Sequence, residues 1–543
     1  MSAATRPGGD GAVTPGQLLA GLLLAGVVLW LLAPFAGADP PRRLTVSNAP
    51  WTDEGFNLAN ARERALGGQF ATGDVDRSLT NGVYSVLGAA TFAVTGPSLA
   101  AGRALSMAAV AGAVLLLALG LARPLGRPAA LLAAAALGGA DLMLEHGRLA
   151  LVEATVVVLL TGAFVLATRA AWRPSAAAGA GVGLLVAAAV SIKANALLPG
   201  VVLLGVVLVA AARRRDRPAL VMGLAGLATL VMAGAAWLVA VALPNWDRLR
   251  TALRIWPTVE YLGTPAAIAG RVGRYLADSD QALGRSLPLL LAAALGLAAL
   301  ARRWRGLDPA ARDALVMAGL WGAGLWLAVA VGDYLPGHYT APNRYVVPAL
   351  PGLAVLAGFG LADLAALAGR SLGGAGERDP GNRGRAGWAA GMVAVVLGVA
   401  VAVPGVLQYL DGARGSGRLR EHGQRALATS LPSDAVVFGA YAPTLLFDTR
   451  LTTLTPWPTA DANVRDPVGR FGVTHVLVSN GPGDPTAKVT GLTGRTRPSL
   501  ARVPWGNGEL FLYGPPSPIG PGVSPATSPI DYDPGVESSA SRR

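Results

Sequence analysis

The chain has 543 residues, of which 52% are hydrophobic and only 14% are charged, and its mean hydropathy is +0.48. Soluble domains usually carry about 25% charged residues, so the composition excludes an ordinary soluble protein. Cysteine is absent, which excludes disulfides, thiolate metal sites and cysteine nucleophiles. The formal net charge is +13, but the basic residues lie mainly between apolar runs. That pattern indicates membrane topology rather than nucleic-acid binding.

Eleven apolar runs predict transmembrane helices, so the predicted fold class is an all-α polytopic membrane protein. Several runs are short or rich in Gly and Ala, which suits close helix packing in lipid. The first run is interpreted as a retained span because no convincing small-residue cleavage site follows it, with a signal peptide as the alternative. The predicted spans are 17–37, 98–121, 128–145, 149–171, 176–192, 195–212, 218–243, 287–301, 314–332, 346–368 and 387–409.

Arginine-rich loops fall on alternate sides of these spans. Because Lys and Arg accumulate in cytoplasmic loops, the N-terminus and the arginine-rich loops are predicted to be cytoplasmic in a multi-pass protein of the cell membrane. The arginine-rich loops contain Arg123 and Arg127, Arg169 and Arg173, residues 213–217, residues 302–305 and residues 370–385. The extracytoplasmic side then holds loops 38–97, 244–286 and 332–345, and everything after about residue 410.

The composition changes after residue 410. The stretches LPSDAVVFGA, FGVTHVLVSN and GELFLYG are typical of short strands bounded by Pro, Gly and Asp. Residues 1–410 are therefore predicted to be a transmembrane module and residues 411–514 a small extracytoplasmic α/β domain. The tail 515–543 is rich in Pro and Ser and is predicted to be disordered.

The stretch WTDEGFNLANARERALGGQF, which begins at Trp51, places two adjacent carboxylates just beyond the first span. Thr52 or Asp53 is predicted to cap a helix that ends at the following pair of glycines. Phe56 and Leu58 give this helix an apolar side suited to the membrane surface, and a second such element follows at 83–96. Asp53 is thus either a helix cap or a general base held at the lipid–water boundary.

This arrangement resembles the GT-C glycosyltransferases, and within them the protein O-mannosyltransferases and bacterial lipid A aminoarabinose transferases. The resemblance covers roughly residues 15–410. It combines an Asp-Glu pair in the first outer loop, surface helices and four quoted segments, all in the family's order and on one side of the membrane. The segments are GPSLAAGRALSMAAVAG, EHGRLALVEA, SIKANALLP and PNRYVVPALPGLAVLAGFGL.

The resemblance implies an inverting transfer of a sugar from a polyprenyl-phosphate donor to a hydroxyl of a glycan, lipid or protein outside the cytoplasm. Besides donor and acceptor, the expected partners are membrane lipids, and nucleic acid is not one. Asp53 is the position that matches the family's base, and Glu54 is expected to support it by holding the loop or a neighbouring cation. A carboxylate suits the task because a hydroxyl is a poor nucleophile at neutral pH.

The departing lipid phosphate needs cationic partners as charge develops on it, and Arg and Lys on the outer face are the candidates. Lys193, Arg344 and Arg103 each have an alternative role as interfacial anchors, and Arg148 and Glu153 have the alternative of pairing with each other or with other spans. An exposed loop histidine is the alternative for His338. The predicted substrate-binding residues are Arg103, Arg148, Glu153, Lys193, His338, Arg344 and Tyr345.

With four histidines and no cysteines, no structural metal site is predicted. A divalent cation held by Asp53 and a phosphate remains an alternative, because some members of the family use such an ion and others do not. Other functions also stay open, namely a different lipid-substrate transferase or ligase, a polytopic transporter, or a non-catalytic membrane scaffold. A transporter should carry charges at span midpoints, whereas here Asp141 and Asp363 are the mild exceptions to a pattern of charges at span ends.

Overall fold

The computed structural model describes residues 13–40, 53–68, 78–246, 249, 266, 269–270, 282–331, 343–372, 380–455, 471–480, 486, 498–505 and 508–514. Within these residues the chain is mostly helical, with one small sheet near its C-terminal end. The helices are α1 Pro15–Leu32, α2 Asp53–Gly67, α3 Ser78–Thr95, α4 Leu99–Gly120, α5 Ala122–Leu125, α6 Arg127–Gly138, α7 Asp141–Gly147, α8 Val152–Ala170, α9 Ala176–Ile192, α10 Leu197–Arg214, α11 Arg217–Trp237, α12 Ala282–Arg303, α13 Pro309–Val331, α14 Leu350–Leu372, α15 Pro380–Arg414, α16 Leu419–Ala428 and α17 Ala442–Leu445.

The membrane-spanning character of the bundle is confirmed. In the described part of the chain, nine helices are long and apolar enough to cross a membrane, or ten if α6 and α7 together form one span. The axes of α6 and α7 differ by 58°, so the predicted span 128–145 is a broken one. Helix α9 is apolar but, at 17 residues, shorter than these nine helices. Each of the eleven predicted spans therefore corresponds to a helix or to this bent pair.

The bundle has two ends, which differ in their polar contacts. At one end, the Gln17 side-chain amide donates to the Ala118 carbonyl at 2.9 Å, and Arg214 pairs with Asp313 at 2.6 Å. Asp363, one of the two exceptions noted in the sequence, accepts from Arg302 and Arg303 at this end. The arginine-rich loops therefore lie at the end of the bundle opposite to Asp53.

The sheet lies beyond the Asp53 end of the bundle and has five strands in the order β2-β1-β3-β5-β4. Strand β1 pairs in parallel with β2 and β3, while β5 is antiparallel to β3 and β4. The three predicted strands are present, and the sheet adds β2 and β4 to them. The strands are β1 Val436–Phe438, β2 Thr452–Leu454, β3 His475–Ser479, β4 Ala501–Trp505 and β5 Gly508–Tyr513. The division between 410 and 411 stays a prediction, and the tail 515–543 lies outside the described residues.

Helix α2 packs between the bundle and this sheet. Phe56 is 3% exposed and joins an apolar cluster on one face of the sheet, while Leu58 is fully buried in the core of the bundle. The apolar side of α2 thus faces protein, whereas the sequence suggested the membrane surface. Since the sheet and the bundle cover Phe56 and Leu58, the position of α2 depends on both.

Candidate active site

Asp53 is the first residue of helix α2. Acidic residues in the first turn of a helix interact favourably with its exposed N–H groups, and both Asp53 and Glu54 lie there. The other end is fixed as predicted, because Gly68 has a φ of +77° and its N–H donates to the Arg64 carbonyl at 3.0 Å. Thr52, the alternative cap, lies outside the described residues.

The Asp53 carboxylate forms an ion pair with the Arg344 guanidinium. Arg344 comes from the 3₁₀ turn Asn343–Tyr345, which lies shortly before α14. The side chains are 25% and 20% exposed respectively, so the pair is open to a molecule that approaches this end of the bundle. Asp53 and Arg344 are thus brought together although they are 291 positions apart in the sequence. The prediction that the site residues lie on one side of the bundle holds for these two residues.

Lys193 and Glu153 extend this pair into a larger cluster. The Lys193 Nζ atom lies 2.5 Å from Glu153 Oε1 and 4.1 Å from the centre of the Tyr345 ring. The Arg344 guanidinium lies 5.4 Å from the centre of the same ring. Lys193 immediately follows α9 as its C-cap residue, and Glu153 lies in the first turn of α8.

We call Asp53, Glu153, Lys193, Arg344 and Tyr345 the Asp53 cluster. It contains two cations, two carboxylates and a phenol. Burial raises the pKa of the Tyr345 hydroxyl, but the charges of Arg344 and Lys193 together lower the pKa by more than burial raises it. The pKa therefore lies below the ordinary value. The Oε2 atom of Glu153 is buried with no hydrogen-bond partner among the described residues. Such an atom favours an incoming donor group, since buried polar atoms are normally satisfied.

The neighbouring carboxylate, Glu54, lies in a different environment. Its two oxygens accept from Nε and Nη2 of Arg103, both at 2.7 Å, and Oε1 also accepts from the Ala150 N–H at 2.8 Å. Both side chains are 1% exposed. Burial raises the pKa of Glu54, but the Arg103 charge and the hydrogen bonds outweigh burial and hold the pKa below its ordinary value. Glu54 and Arg103 are therefore enclosed by protein.

Arg148 lies near Arg103 rather than in the Asp53 cluster. It is fully buried and donates to the carbonyls of the chain that follows α1, as Arg103 also does. The pairing of Arg148 with Glu153 considered from the sequence is replaced by the pairing of Glu153 with Lys193. The Arg148 acceptors are Phe35 O at 3.1 Å, Ala38 O at 3.0 Å, Asp39 O at 2.8 Å and Ser416 Oγ at 3.2 Å. His338 lies outside the described residues.

Two buried arginines at this end of the bundle were not among the predicted site residues. Arg285 Nε donates to Asp141 at 2.6 Å, and its guanidinium also pairs with Glu145, which connects α12 to α7. Arg62 in α2 donates to backbone carbonyls of the chain that follows α17. A lone Arg at the start of an apolar run was a signal for Arg285. No sequence pattern marks Arg62, because its partners are main-chain atoms.

No group of three or more His, Cys, Asp or Glu side chains arranged to hold a metal ion occurs in the part of the chain that the structure describes. In that part, the carboxylate of Asp53 has a protein cation as its partner. A divalent ion shared by Asp53 and a phosphate stays a prediction.

The fold is GT-C-like, as the resemblance in the sequence predicted. ArnT from Cupriavidus metallidurans bound to undecaprenyl phosphate superposes with a TM-score of 0.58 at 16% identity, over 92% of this chain and 97% of that one. The apo state of the same protein gives a TM-score of 0.60 at 16% identity, over 92% and 98%. The Archaeoglobus fulgidus oligosaccharyltransferase tethered to an acceptor peptide gives 0.50 at 12% identity, over 86% and 69%. No family model and no curated protein matches the sequence, so the likeness is one of structure.

Proposed function

We propose that this chain is a glycosyltransferase that moves a sugar from a polyprenyl-phosphate donor to an acceptor hydroxyl on the extracytoplasmic side of the membrane. The observation that carries the proposal is the Asp53 cluster, in which the partly exposed Asp53–Arg344 ion pair lies beside the Lys193–Glu153 pair at one end of a GT-C-like bundle. The structure of ArnT with undecaprenyl phosphate, a polyprenyl phosphate, supports the donor class.

In this proposal Arg344 and Lys193 bind the donor phosphate. A guanidinium forms two parallel hydrogen bonds to a phosphate, and an ammonium contributes a compact charge. Each cation already has a carboxylate partner, Asp53 for Arg344 and Glu153 for Lys193. A phosphate that takes over Arg344 releases Asp53 from its ion pair, so donor binding itself frees the base.

In the transfer step, the Asp53 carboxylate removes the proton from the acceptor hydroxyl, and the acceptor oxygen forms a bond to the anomeric carbon of the sugar. The bond from that carbon to the phosphate oxygen breaks, and its electron pair leaves with polyprenyl phosphate. Arg344 and Lys193 stabilise the charge that develops on this oxygen. Attack opposite to the leaving group inverts the anomeric configuration.

Glu153 is the residue that we assign to sugar recognition. Its buried Oε2 has no hydrogen-bond partner among the described residues, while Oε1 is held by Lys193. A sugar hydroxyl that donates to Oε2 would satisfy this atom. Sites that bind substrate hydroxyls with buried polar groups reject analogues that lack the hydroxyl, so the contact would also give selectivity.

Transport of the lipid-linked sugar is the second candidate. It predicts charges near the middle of spans. Of the two exceptions noted in the sequence, Asp363 pairs with arginines at the end of the bundle, and Asp141 lies at the break between α6 and α7, where it pairs with Arg285. The charges of the Asp53 cluster also lie at a bundle end, which favours chemistry at the membrane surface over passage through the membrane.

The test uses the purified full chain in liposomes with a panel of polyprenyl-phosphate sugars, each radiolabelled in the sugar, and candidate acceptors. A glycosyltransferase cleaves the sugar–phosphate bond, so that free polyprenyl phosphate and labelled acceptor accumulate in equal amounts. A transporter moves the label across the membrane with the donor intact. Intact donor with every sugar, together with movement of label, would overturn the proposal.

A further inference from the structure

Residues 443–451, with the sequence PTLLFDTRL, connect the C-terminal sheet to three helices of the bundle. We call these residues the 443–451 segment. Within it, Phe447 is 1% exposed, and its ring centre lies 6.0 Å from that of Phe92 in α3. The carboxylate of Asp448 accepts from the Leu99 N–H at the start of α4 at 2.7 Å and from Arg420 at 2.8 Å. The segment is thus attached to the bundle at more than one point.

Arg62 attaches the same segment to α2. Its Nε donates to the Phe447 carbonyl, and its Nη2 donates to the carbonyls of Thr449 and Leu451, each at 2.8 Å. Burial lowers the pKa of Arg62 to about 10, so that it stays protonated at neutral pH. The planar guanidinium offers its donors in set directions. Hydrogen bonds to three carbonyls therefore fix the position of Arg62 in α2 relative to the segment.

A second attachment point lies close to Asp53. The Gly55 N–H donates to Thr444 Oγ1 at 3.1 Å. A Cβ atom at position 55 would lie 2.5 Å from the Thr444 nitrogen, so this approach of α2 to the segment requires glycine. Gly55 and Arg62 are seven residues apart, which is two helical turns or roughly 10 Å. Two contacts on one side of a helix at this distance fix the direction of its axis.

The sheet holds α2 through one of its two faces. Residues of alternate orientation in β3 and β5 form two separate clusters, as the pleat of a strand requires. Val476, Val478 and Phe511 pack around Phe56 of α2, whereas Leu477 and Leu512 pack on the opposite face. The first face therefore stabilises α2, and the second packs against Leu445, Leu446 and Leu451 of the 443–451 segment.

From these contacts we propose that the 443–451 segment is a positioning element for sugar transfer, with Arg62 as the positioning residue. By holding α2 at residues 55 and 62, the segment places Asp53 opposite Arg344. This inference rests on the proposed function for its catalytic part, while the docking of α2 on the segment can be measured without any reaction.

The experiment compares wild type with Arg62→Met, Arg62→Lys and Leu117→Ala. Methionine keeps the unbranched stem and the helix propensity of Arg62 but removes all donors. We expect Arg62→Met to lower kcat about 10- to 100-fold with the donor KM changed less than about twofold, since misplacement of a catalytic group by about 1 Å costs about that much. Arg62→Lys, which keeps the charge and part of the hydrogen bonding, should recover part of the loss. Leu117 is fully buried in α4 at the end of the bundle opposite to Asp53, so Leu117→Ala should lower the melting temperature yet keep the wild-type kcat below that temperature.

The docking itself is measured by pulsed electron spin resonance between labels at Leu66→Cys and Arg425→Cys, two exposed positions in a chain without native cysteine. A narrow distance distribution in wild type that broadens in Arg62→Met supports the positioning role, even if no donor in the panel is turned over. An unchanged distribution overturns it. An unchanged kcat in Arg62→Met, in a wild type that does transfer sugar, also overturns it and leaves the proposed function intact.

Discussion

Two carboxylates that are adjacent in the chain, Asp53 and Glu54, lie in two contrasting regions of the same helix end. Glu54 is 1% exposed, and both of its oxygens are held by Arg103, with Ala150 as a further donor. Asp53 is 25% exposed and has one observed cation partner, Arg344. A fully enclosed ion pair has no room for a substrate, whereas a partly open one can exchange its partner. Burial and the number of bound donors, more than residue type, therefore distinguish Asp53, which we propose as the base, from Glu54, which stabilises the fold around it.

The two pairs also differ in what they contribute to stability. A partly exposed ion pair contributes about 0–1 kcal/mol, so the fold can lose the Asp53 charge. Removal of one partner from a buried pair costs about 3–5 kcal/mol, because an uncompensated charge is left in the interior.

The largest effect on stability is expected for Glu54→Gln. The substitution keeps the shape of the side chain but leaves the buried Arg103 charge without its counter-ion, so the free energy of unfolding should fall by about 3–5 kcal/mol. Thermal unfolding of the purified protein measures this loss. The double variant Glu54→Gln with Arg103→Met removes both charges and should be more stable than the single variant. If Glu54→Gln is as stable as wild type, the buried Glu54–Arg103 pair does not stabilise the fold more than the partly exposed Asp53–Arg344 pair.

In the Asp53 cluster, Lys193→Met should affect the reaction rather than the fold. A hydrogen bond to a charged group contributes about 1.5–3 kcal/mol, so kcat/KM for the donor should fall roughly 10- to 100-fold. Lys193→Arg keeps the charge and should lose less. Steady-state kinetics with one active donor measures both variants. If Lys193→Met keeps the wild-type kcat/KM, the lysine is an anchor at the membrane interface instead.

A smaller effect is expected for Arg148→Met, which sharpens the boundary of the site. The sequence suggested substrate binding, but in the structure Arg148 donates to carbonyls between Phe35 and Asp39. Its loss should lower the free energy of unfolding by about 1–3 kcal/mol, because buried acceptors lose their donors, and should leave the donor KM unchanged. A raised KM with an unchanged melting temperature would return Arg148 to the substrate site.

The smallest effect is a pH dependence of stability. The pKa of Glu54 in the folded protein lies below its usual 4.5 because the charge and hydrogen bonds of Arg103 outweigh burial. The stability from this group is therefore fully present above pH 4.5 and is lost as the pH falls through the folded pKa. The difference in melting temperature between wild type and Glu54→Gln should narrow on acidification. A difference that grows towards low pH would show the opposite sign of the shift.

Much of this architecture could be predicted from the sequence because its signals are local. Long apolar runs located a helix, or the bent pair of α6 and α7, at each of the eleven predicted positions, and nine or ten of these are long and apolar enough to cross a membrane. The arginine-rich loops predicted that Asp53, Lys193 and Arg344 lie on one side. The strands β2 and β4 were missed for physical reasons. Strand β2 has three residues, and β4 is an edge strand with Pro504, which the missing N–H of proline confines to edges.

The partners of individual charges could not be predicted from the sequence. Glu153 pairs with Lys193 rather than with Arg148, because the choice depends on how α8 and α9 pack. Arg62 binds main-chain carbonyls, which every residue has, so its role leaves no trace in the pattern of side chains.

Sugar transfer by purified wild type and Asp53→Asn, with donor binding and melting temperature measured on the same samples, tests whether Asp53 is the general base. Transfer should fall about 10²- to 10⁴-fold in Asp53→Asn, the contribution expected of a general base, while the melting temperature is unchanged and donor affinity changes only a few-fold. If Asp53→Asn transfers sugar within a few-fold of wild type, Asp53 is a helix-end carboxylate that pairs with Arg344, and the base lies elsewhere.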